Sequence, residues 1–382
     1  MLWITAPGSG SGTGFAGMTI GHGFAIGSLG VFMDYSFETG VYRPPSEGGS
    51  SSLLLRVTRN CPWNNCTFCG MYKGKRFSKR PPDEVKGDID AIAGIARSLG
   101  AIPSDEPSIA PGKKTVESLL KEIPSLGSSI GLGMVLEWIH SGMKTAFLQD
   151  ANSLIIETDE LVEILLYLRK TFSSIERVTS YARARTLSKK SLEHLKAVKR
   201  AGLDRLHVGL ETGDPELLKA VRKGVSHEDQ VLAGTKAKEA GFQLSEYWMP
   251  GLGGKRFTKQ HAENTAKALN IINPHYIRSR PFFPHPGTPL YLAVQKGEWP
   301  LLSPLEQLLE LKEMIGHLQV TSKVCFDHAG NYWPGFKGRP VFKHSYEGYQ
   351  FPEKKDHVLG LIEEGISVQK QIPSGPPPWL AR

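Results

Sequence analysis

The first 32 residues contain no Asp, Glu, Lys or Arg, while Gly and Ser recur throughout them. A secretory leader places a basic stretch ahead of a compact apolar one. Here glycines interrupt every apolar run, so no secretory leader is expected in residues 1–32. Residues 1–32 read instead as a disordered tail, with Met33 the expected true start and folded sequence beginning near Asp34. Cysteine is scarce, with four in 382 residues, which excludes a disulfide-stapled secreted fold. No apolar run approaches the ~20 residues that a bilayer requires, so a cytoplasmic protein without a membrane partner is expected. The charge surplus is small: 46 Lys and Arg against 38 Asp and Glu, net +8. It suits an anionic ligand but is ordinary for a chain of this length. What the chain does have is 40% hydrophobic residues, enough to bury a sizeable core.

From Leu53 onward short β-like runs alternate with longer amphipathic stretches. Strands are expected over 53–58, 145–149, 176–181, 205–210, 243–249 and 276–280. Helices are expected over 158–170, 189–201, 228–240 and 259–272. In the first of these helices Leu161, Ile164, Leu165 and Leu168 recur at helical spacing. Gly202 and Gly241 each follow a helical stretch, as C-terminal caps do. Alternation of this kind implies parallel strands with right-handed crossovers. The fourth strand alternates Leu206, Val208 and Leu210 with Arg205, His207, Gly209 and Glu211. A strand covered by helices on both faces would be apolar on both. One polar face points to an open lumen, hence a partial (β/α)6 barrel. The crossover between Thr58 and Thr145 is too long for one helix and carries an expected insertion of low order near 99–133. After Pro289 the βα rhythm stops; one helix near 304–320 leads into residues 291–382, expected to form a C-terminal cap.

Three cysteines fall within nine residues, Cys61-Pro-Trp-Asn-Asn-Cys66-Thr-Phe-Cys69. They follow the first strand directly, at the end where βα folds gather their catalytic groups. Three thiolates on one loop can hold three irons of a cubane cluster and leave the fourth iron free of protein ligands. The same residues also suit a structural zinc ion with Cys325 or a histidine as fourth ligand. Cys66 and Cys69 alone form a Cys-x-x-Cys pair suited to redox exchange.

The residues downstream give this loop a context. Over about 53–291 the chain resembles the radical S-adenosylmethionine (radical SAM) superfamily, in the branch of oxygen-independent coproporphyrinogen dehydrogenase and the methylthiotransferases. The resemblance rests on Cys-Thr-Phe-Cys at the loop's end and on Phe147-Leu-Gln-Asp-Ala-Asn152 after the second strand. Val208-Gly-Leu-Glu-Thr-Gly213 running to Arg222-Lys-Gly224, and Met249-Pro-Gly-Leu-Gly-Gly254, complete it. The chain departs from the common Cys-x3-Cys-x2-Cys spacing, with four residues between Cys61 and Cys66. The resemblance implies a barrel over 33–290 in which Cys61, Cys66 and Cys69 hold a [4Fe-4S] cluster. One electron from that cluster cleaves SAM, and a 5′-deoxyadenosyl radical then takes hydrogen from a substrate. It implies an external flavodoxin- or ferredoxin-like electron donor as partner.

The resemblance also places Phe68 against the adenine and Gln149, Asp150 and Asn152 at the methionyl end of SAM. Glu211 falls at its ribose or amino group, Lys223 at its carboxylate, and Gly251 and Gly253 near the adenine. Plainer roles exist for each. Glu211, Gln149 and Asp150 could cap helices, Lys223 could be a solvated lysine at a helix end, and the glycines could serve turns. Arg183, His207, Arg278 and Arg280, at or near strand ends, together with Asp327 and His328, are candidate substrate contacts. Arginines there suit an anionic substrate group or internal salt bridges to Glu211, Glu246 or Asp150. The basic run 73–80 reads as a solvated loop. A small anionic molecule is therefore favoured as substrate over RNA, and a cluster- or haem-handling protein without turnover is the remaining reading.

Overall fold

The computed structural model describes residues 35–40, 51–103, 115–124, 130–331 and 333–372. The expectations for residues 1–32, for 104–114 and 125–129, and for the last ten residues lie outside them. The chain opens with β1 (Ser52–Arg56), followed by a short ladder of β2 (Thr58–Arg59) and β3 (Ser78–Lys79). Thr58 pairs with Lys79 and Arg59 with Ser78 in antiparallel register, so the cysteine loop is drawn closed at its base. Then come α1 (Pro82–Ser98), α2 (Val116–Glu122), α3 (Ile130–His140) and β4 (Thr145–Gln149). The repeating part follows: α4 (Thr158–Thr171), β5 (Arg177–Ala182), α5 (Ala184–Lys189), α6 (Leu192–Arg200) and β6 (Arg205–Glu211). It continues with α7 (Pro215–Ala220), α8 (His227–Glu239), β7 (Gln243–Trp248), α9 (Gly254–Ile272) and β8 (Tyr276–Ser279). Last are α10 (Pro289–Gln295), α11 (Pro304–His317), β9 (Lys323–Cys325), β10 (Tyr349–Gln350) and α12 (Lys355–Gln369).

Local chemistry fixes these elements. In α4, Leu161, Ile164, Leu165 and Leu168 are all fully buried, with Asp159 and Glu160 in the first turn and Arg169 and Lys170 in the last. That charge order complements the helix dipole. Asp214 caps α7 by accepting from the Leu217 N–H at 2.7 Å, and Pro215 occupies its first turn. Ser303 and Glu306 form a reciprocal capping box on α11.

The main sheet has the order β1-β4-β5-β6-β7-β8-β9-β10. It is parallel from β1 through β9, and β10 runs antiparallel to β9. It is a partial barrel, open between the edge strands β1 and β10. Its curvature shows on the inner face, where Phe147, Tyr181, His207 and Tyr247 meet ring to ring. Phe147 on β4 and His207 on β6 lie 6.5 Å apart between ring centroids. Strands two places apart are separated by about 9.6 Å in a flat sheet, so the side chains converge inward. No helix among the described residues is long and apolar enough to cross a membrane.

Three expectations are corrected. The described residues of 99–133 include α2 and the start of α3, and Leu99, Leu119 and Leu132 join the main core; the glycines and prolines of this stretch obscured the apolar spacing. The βα rhythm does not stop after Pro289, because β9 pairs with β8 in parallel, Ile277 opposite Val324. A strand of three residues carries too little alternation to register as a pattern. Arg80 is not solvated: it is 4% exposed and pairs with Asp88.

Candidate active site

The cysteine loop leaves the C-terminal end of the sheet and is pinned by backbone bonds. The Thr67 N–H donates to the Val221 carbonyl at 3.0 Å, and the Leu290 N–H donates to the Thr67 carbonyl at 3.0 Å. Trp63 Nε1 donates to the Arg222 carbonyl at 2.8 Å, and its ring lies against Gly224. A Cβ on Gly224 would sit 2.4 Å from that ring, and φ there is +71°, so only glycine admits the contact. Phe68 is half-buried against an apolar cluster that includes Leu217, Val221, Met249 and Leu290, which anchors the loop beside its cysteines.

All four cysteines are free thiols. Burial pushes the Cys66 thiol up, against the pull of Lys223. Burial likewise raises Cys69, against a hydrogen bond from the Met71 backbone. Thiols of this kind become thiolates when a metal displaces their protons. The one described group of three metal-binding side chains gathered within 4.8 Å is Glu263, Glu313 and His317 on the surface, not the cysteines. A single tetrahedral ion with metal–sulfur bonds near 2.3 Å needs its sulfurs within about 4 Å of each other. The wider spread fits a cluster in which each cysteine takes its own iron. The donor set therefore fits a cubane cluster.

Two cations flank the thiols. Arg183 lies over the Trp63 ring at 5.4 Å and donates to the Lys223 carbonyl at 3.0 Å. Burial pulls its pKa down, with Cys61 and Cys66 opposing. Lys223 Nζ binds Glu211 Oε1 at 2.8 Å, with the side chains only 14% and 15% exposed. Burial pulls the Lys223 ammonium down, but Glu211 and Cys66 outweigh it and its pKa is raised. The pair sits over Gly209: a Cβ there would meet Glu211 Oε1 at 2.2 Å and Lys223 Nζ at 3.0 Å. Glu211 itself has φ +64°, at a register shift between β6 and β7. Lys223 stands on the turn after α7, not on the helix. Positive φ at Arg222 and Gly224 turns the chain back toward β6. Asp214 is the helix cap, so capping does not account for Glu211.

Several expected ligands have partners within the fold. Asp150 is buried and accepts from Arg56 Nη2 at 2.6 Å and from the Asn60 N–H at 2.8 Å. Gln149 Oε1 accepts from the Gly40 N–H at 2.8 Å. Asn152 holds the Arg183 N–H and Thr186 at 3.0 and 2.8 Å. In each case a partner remote in sequence holds at least one polar atom of the side chain. The Gly251 N–H donates to Glu310 Oε1 of α11 at 2.6 Å, and a Cβ on Gly253 would meet Phe257 of α9.

The expected substrate contacts divide. His207 is fully buried within the aromatic layer, because inward positions of a narrow barrel fill with side chains. Arg278 is 1% exposed and donates to Asp327 at 3.0 Å and to Ser245 Oγ at 3.0 Å. Asp327 is thereby occupied as well. Arg280 follows β8 at the barrel mouth, half-buried, with no side-chain hydrogen bond or ion pair among the described residues. His328 is held neutral beside it, pushed down to about 4 by burial, Arg280 and His344. Among the described residues Glu246 pairs with none of the arginines. Its Oε2 lacks a partner there, and burial pushes it well above the usual carboxylate range, with Lys223 opposing.

The description Radical SAM superfamily matches residues 55–269, more than half of the chain. The chain belongs to the radical SAM superfamily. Its members use a [4Fe-4S] cluster and SAM. Among curated proteins it is similar to the heme chaperone HemW of Bacillus subtilis (strain 168), 25% identical over 174 residues. That match covers 45% of each protein, so the chain spans about half the length of this relative. Among solved structures it is similar to an N-terminally deleted Elp3 of the archaeon Methanocaldococcus infernus. There the identity is 15%, the TM-score 0.41, and 57% and 53% of the two chains are covered. It is also similar to coproporphyrinogen III oxidase (HemN) of Escherichia coli, at 19% identity and TM-score 0.37, covering 45% and 39%.

Within this radical SAM fold, Trp63 as the ring that joins Arg183 to Gly224 was not anticipated. His285, whose ring occupies the space where a Gly70 Cβ would lie, also went unmarked. Neither residue belongs to a periodic or spaced motif. The Gly70 position directly after Cys69 was the one available signal, since glycine beside a ligand permits close approach.

Proposed function

We propose that the chain is a radical SAM enzyme acting on a small anionic substrate, with Cys61, Cys66 and Cys69 as cluster ligands. The observation that carries this reading is the Glu211–Lys223 pair held over Gly209, within electrostatic reach of Cys66. When bound, the cluster supplies the electron that opens the SAM sulfonium C–S bond, leaving a carbon radical to take hydrogen from substrate. Glu211 accepts from the SAM ammonium or ribose hydroxyls, and Lys223 donates to its carboxylate. Phe68 offers a ring face to the adenine. Arg280, with neutral His328 at its side, receives the substrate's anionic group; a guanidinium lacking a partner favours a carboxylate or phosphate. The catalytic barrel lies within residues 33–290, and the described residues after 290 extend its sheet through β9 and β10.

Anaerobic reconstitution and an assay for 5′-deoxyadenosine test the reading. Cys61→Ala, Cys66→Ala and Cys69→Ala are each expected to lose the cluster's visible absorbance, while Cys325→Ala keeps it. Similarity to a protein named as a heme chaperone supports a second reading, in which SAM is bound but not cleaved. Haem binding with no 5′-deoxyadenosine from a reduced, SAM-loaded protein would favour that reading.

A further inference from the structure

The two halves of the cysteine loop are held by different means. The half with Cys66 and Cys69 is pinned by the backbone bonds of Thr67 to Val221 and Leu290. The half with Cys61 is carried by the residue before it. Asn60 has φ +68°, a conformation that asparagine tolerates better than most side chains and that other residues seldom adopt. Its Nδ2 donates to the Arg76 carbonyl at 2.6 Å, near the far end of the loop. Among the described residues Asp150 alone accepts from the Asn60 N–H, through Oδ2 at 2.8 Å. The same oxygen accepts from Arg56 Nε and Nη2 at 3.0 and 2.6 Å. Asp150 is itself firmly placed. Its own N–H donates to Thr58 Oγ1 at 3.2 Å, the Val57 N–H donates to the Gln149 carbonyl at 2.8 Å, and its side chain is 1% exposed. Glu38 meets Arg56 Nη1 at 2.9 Å and also holds Arg59. Arg56 therefore has two carboxylates, whereas the Asn60 N–H has one acceptor.

We propose that Asp150 is a positioning residue for Cys61: it locks Asn60 in the left-handed turn from which the Cys61 thiol is presented. The inference rests on the radical SAM reading and deepens it, and it gives Asp150 a task other than the SAM contact that the resemblance implied. Asn60 and Cys61 share a peptide bond, so a change of backbone angle at Asn60 displaces the thiol directly. A thiol on a loosened turn must be ordered each time it binds iron, at an entropic cost. Asp150 acts here through its hydrogen bond and not through its charge, because Glu38 also neutralises Arg56. Asparagine at position 150 retains a carbonyl oxygen for the Asn60 N–H, and alanine retains no acceptor. An ion pair that serves only the fold predicts equal harm from both replacements. A SAM contact predicts that neither disturbs the cluster.

The test is anaerobic reconstitution of the full chain, followed by iron release to excess EDTA without SAM, read as decay of the cluster's visible absorbance. Asp150→Ala is expected to release iron on the order of tenfold to a hundredfold faster, the weight of one hydrogen bond to a charged group. The electron paramagnetic resonance g-values of its reduced cluster should shift as well. Asp150→Asn should keep the unaltered rate and spectrum. Glu38→Gln, which takes a charge from Arg56 and Arg59 but leaves Asn60 held, should keep them too. Asn60 supplies a second pair of variants with Asp150 in place. Asn60→Gly adopts the positive φ freely and should hold its iron, while the β-branched Asn60→Val should release it as fast as Asp150→Ala. Equally fast release from Asp150→Ala and Asp150→Asn reduces Asp150 to an ion-pair partner and overturns the proposal. So do unchanged rates in both with weaker SAM binding, which would return Asp150 to the cofactor. If Asp150→Ala fails to fold, the Asn60 pair decides, and equal release from Asn60→Gly and Asn60→Val overturns the proposal. An unaltered protein that loads a cluster but yields no 5′-deoxyadenosine sinks the enzyme reading, while the positioning role stands or falls by iron release. One that takes up no cluster sinks both.

Discussion

Glu211 combines a strained backbone with a paired charge. A non-glycine residue at φ +64° gives up about 1–2 kcal/mol relative to its ordinary conformations. Strain of this kind persists where surrounding structure over-determines it, here through the Met249 N–H that donates to the Glu211 carbonyl at 2.9 Å and through Lys223. Glu211→Ala is expected to keep its cluster spectrum and to bind SAM on the order of tenfold to a hundredfold more weakly, the size of one charge-assisted hydrogen bond. It should also melt lower, because the largely buried Lys223 is left without its carboxylate. Glu211→Ala/Lys223→Met should recover the melting temperature without recovering SAM affinity. A SAM titration into reduced protein, followed by electron paramagnetic resonance, separates the two effects. Unchanged affinity would remove Glu211 from the site. The cysteines and Glu211 were readable in the sequence because each falls within a short motif. The fates of Asp150 and Arg278 were not, because their partners Arg56 and Asp327 lie 94 and 49 residues away.

Between α9 and α11 a buried polar network fixes the two loops that follow β6 and β7. Glu310 accepts from the Gly251 N–H and from Thr258 Oγ1 at 2.6 and 2.7 Å. His261 bridges Thr212 Oγ1 and the Met249 carbonyl at 2.8 and 3.0 Å. Burial pushes Glu310 above its usual 4.5, with His261, Gly251 and Thr258 opposing. The folded protein then binds this proton more tightly than the unfolded chain does. The associated stability is complete below the ordinary glutamate range and declines as pH rises through the raised value. Glu310→Gln lacks that proton, so its melting temperature relative to the wild type should climb as pH goes from 4 toward neutrality. Thermal melts across that range check it, and a relative fall would reverse the assignment. The six strands expected at this scale all form, within a residue or two of their expected ends. β2, β3 and β9 escaped notice because strands of two or three residues leave no readable alternation.

Across the whole molecule, the C-terminal region matters for whether the barrel is a separable unit. β9 continues the sheet in register with β8, and Arg278 on β8 reaches across to Asp327. Phe326, fully buried, stacks on Phe342 with centroids 3.8 Å apart and meets Tyr349 edge-on at 6.1 Å. α12 packs against α11, and α11 against α9. The cluster loop in turn depends on this half of the chain, through the Leu290 N–H to the Thr67 carbonyl. A separable cap would melt by itself and leave the cluster in place. A continuous sheet would transmit the loss. Phe326→Ala, which empties a buried aromatic site about 3–5 kcal/mol deep, is therefore expected to lower one cooperative transition rather than split it. The cluster's visible absorbance should vanish at the same lowered temperature as the far-ultraviolet circular dichroism. If the cluster signal kept its wild-type midpoint while part of the dichroism melted early, residues 291–382 would be a cap on an independent barrel.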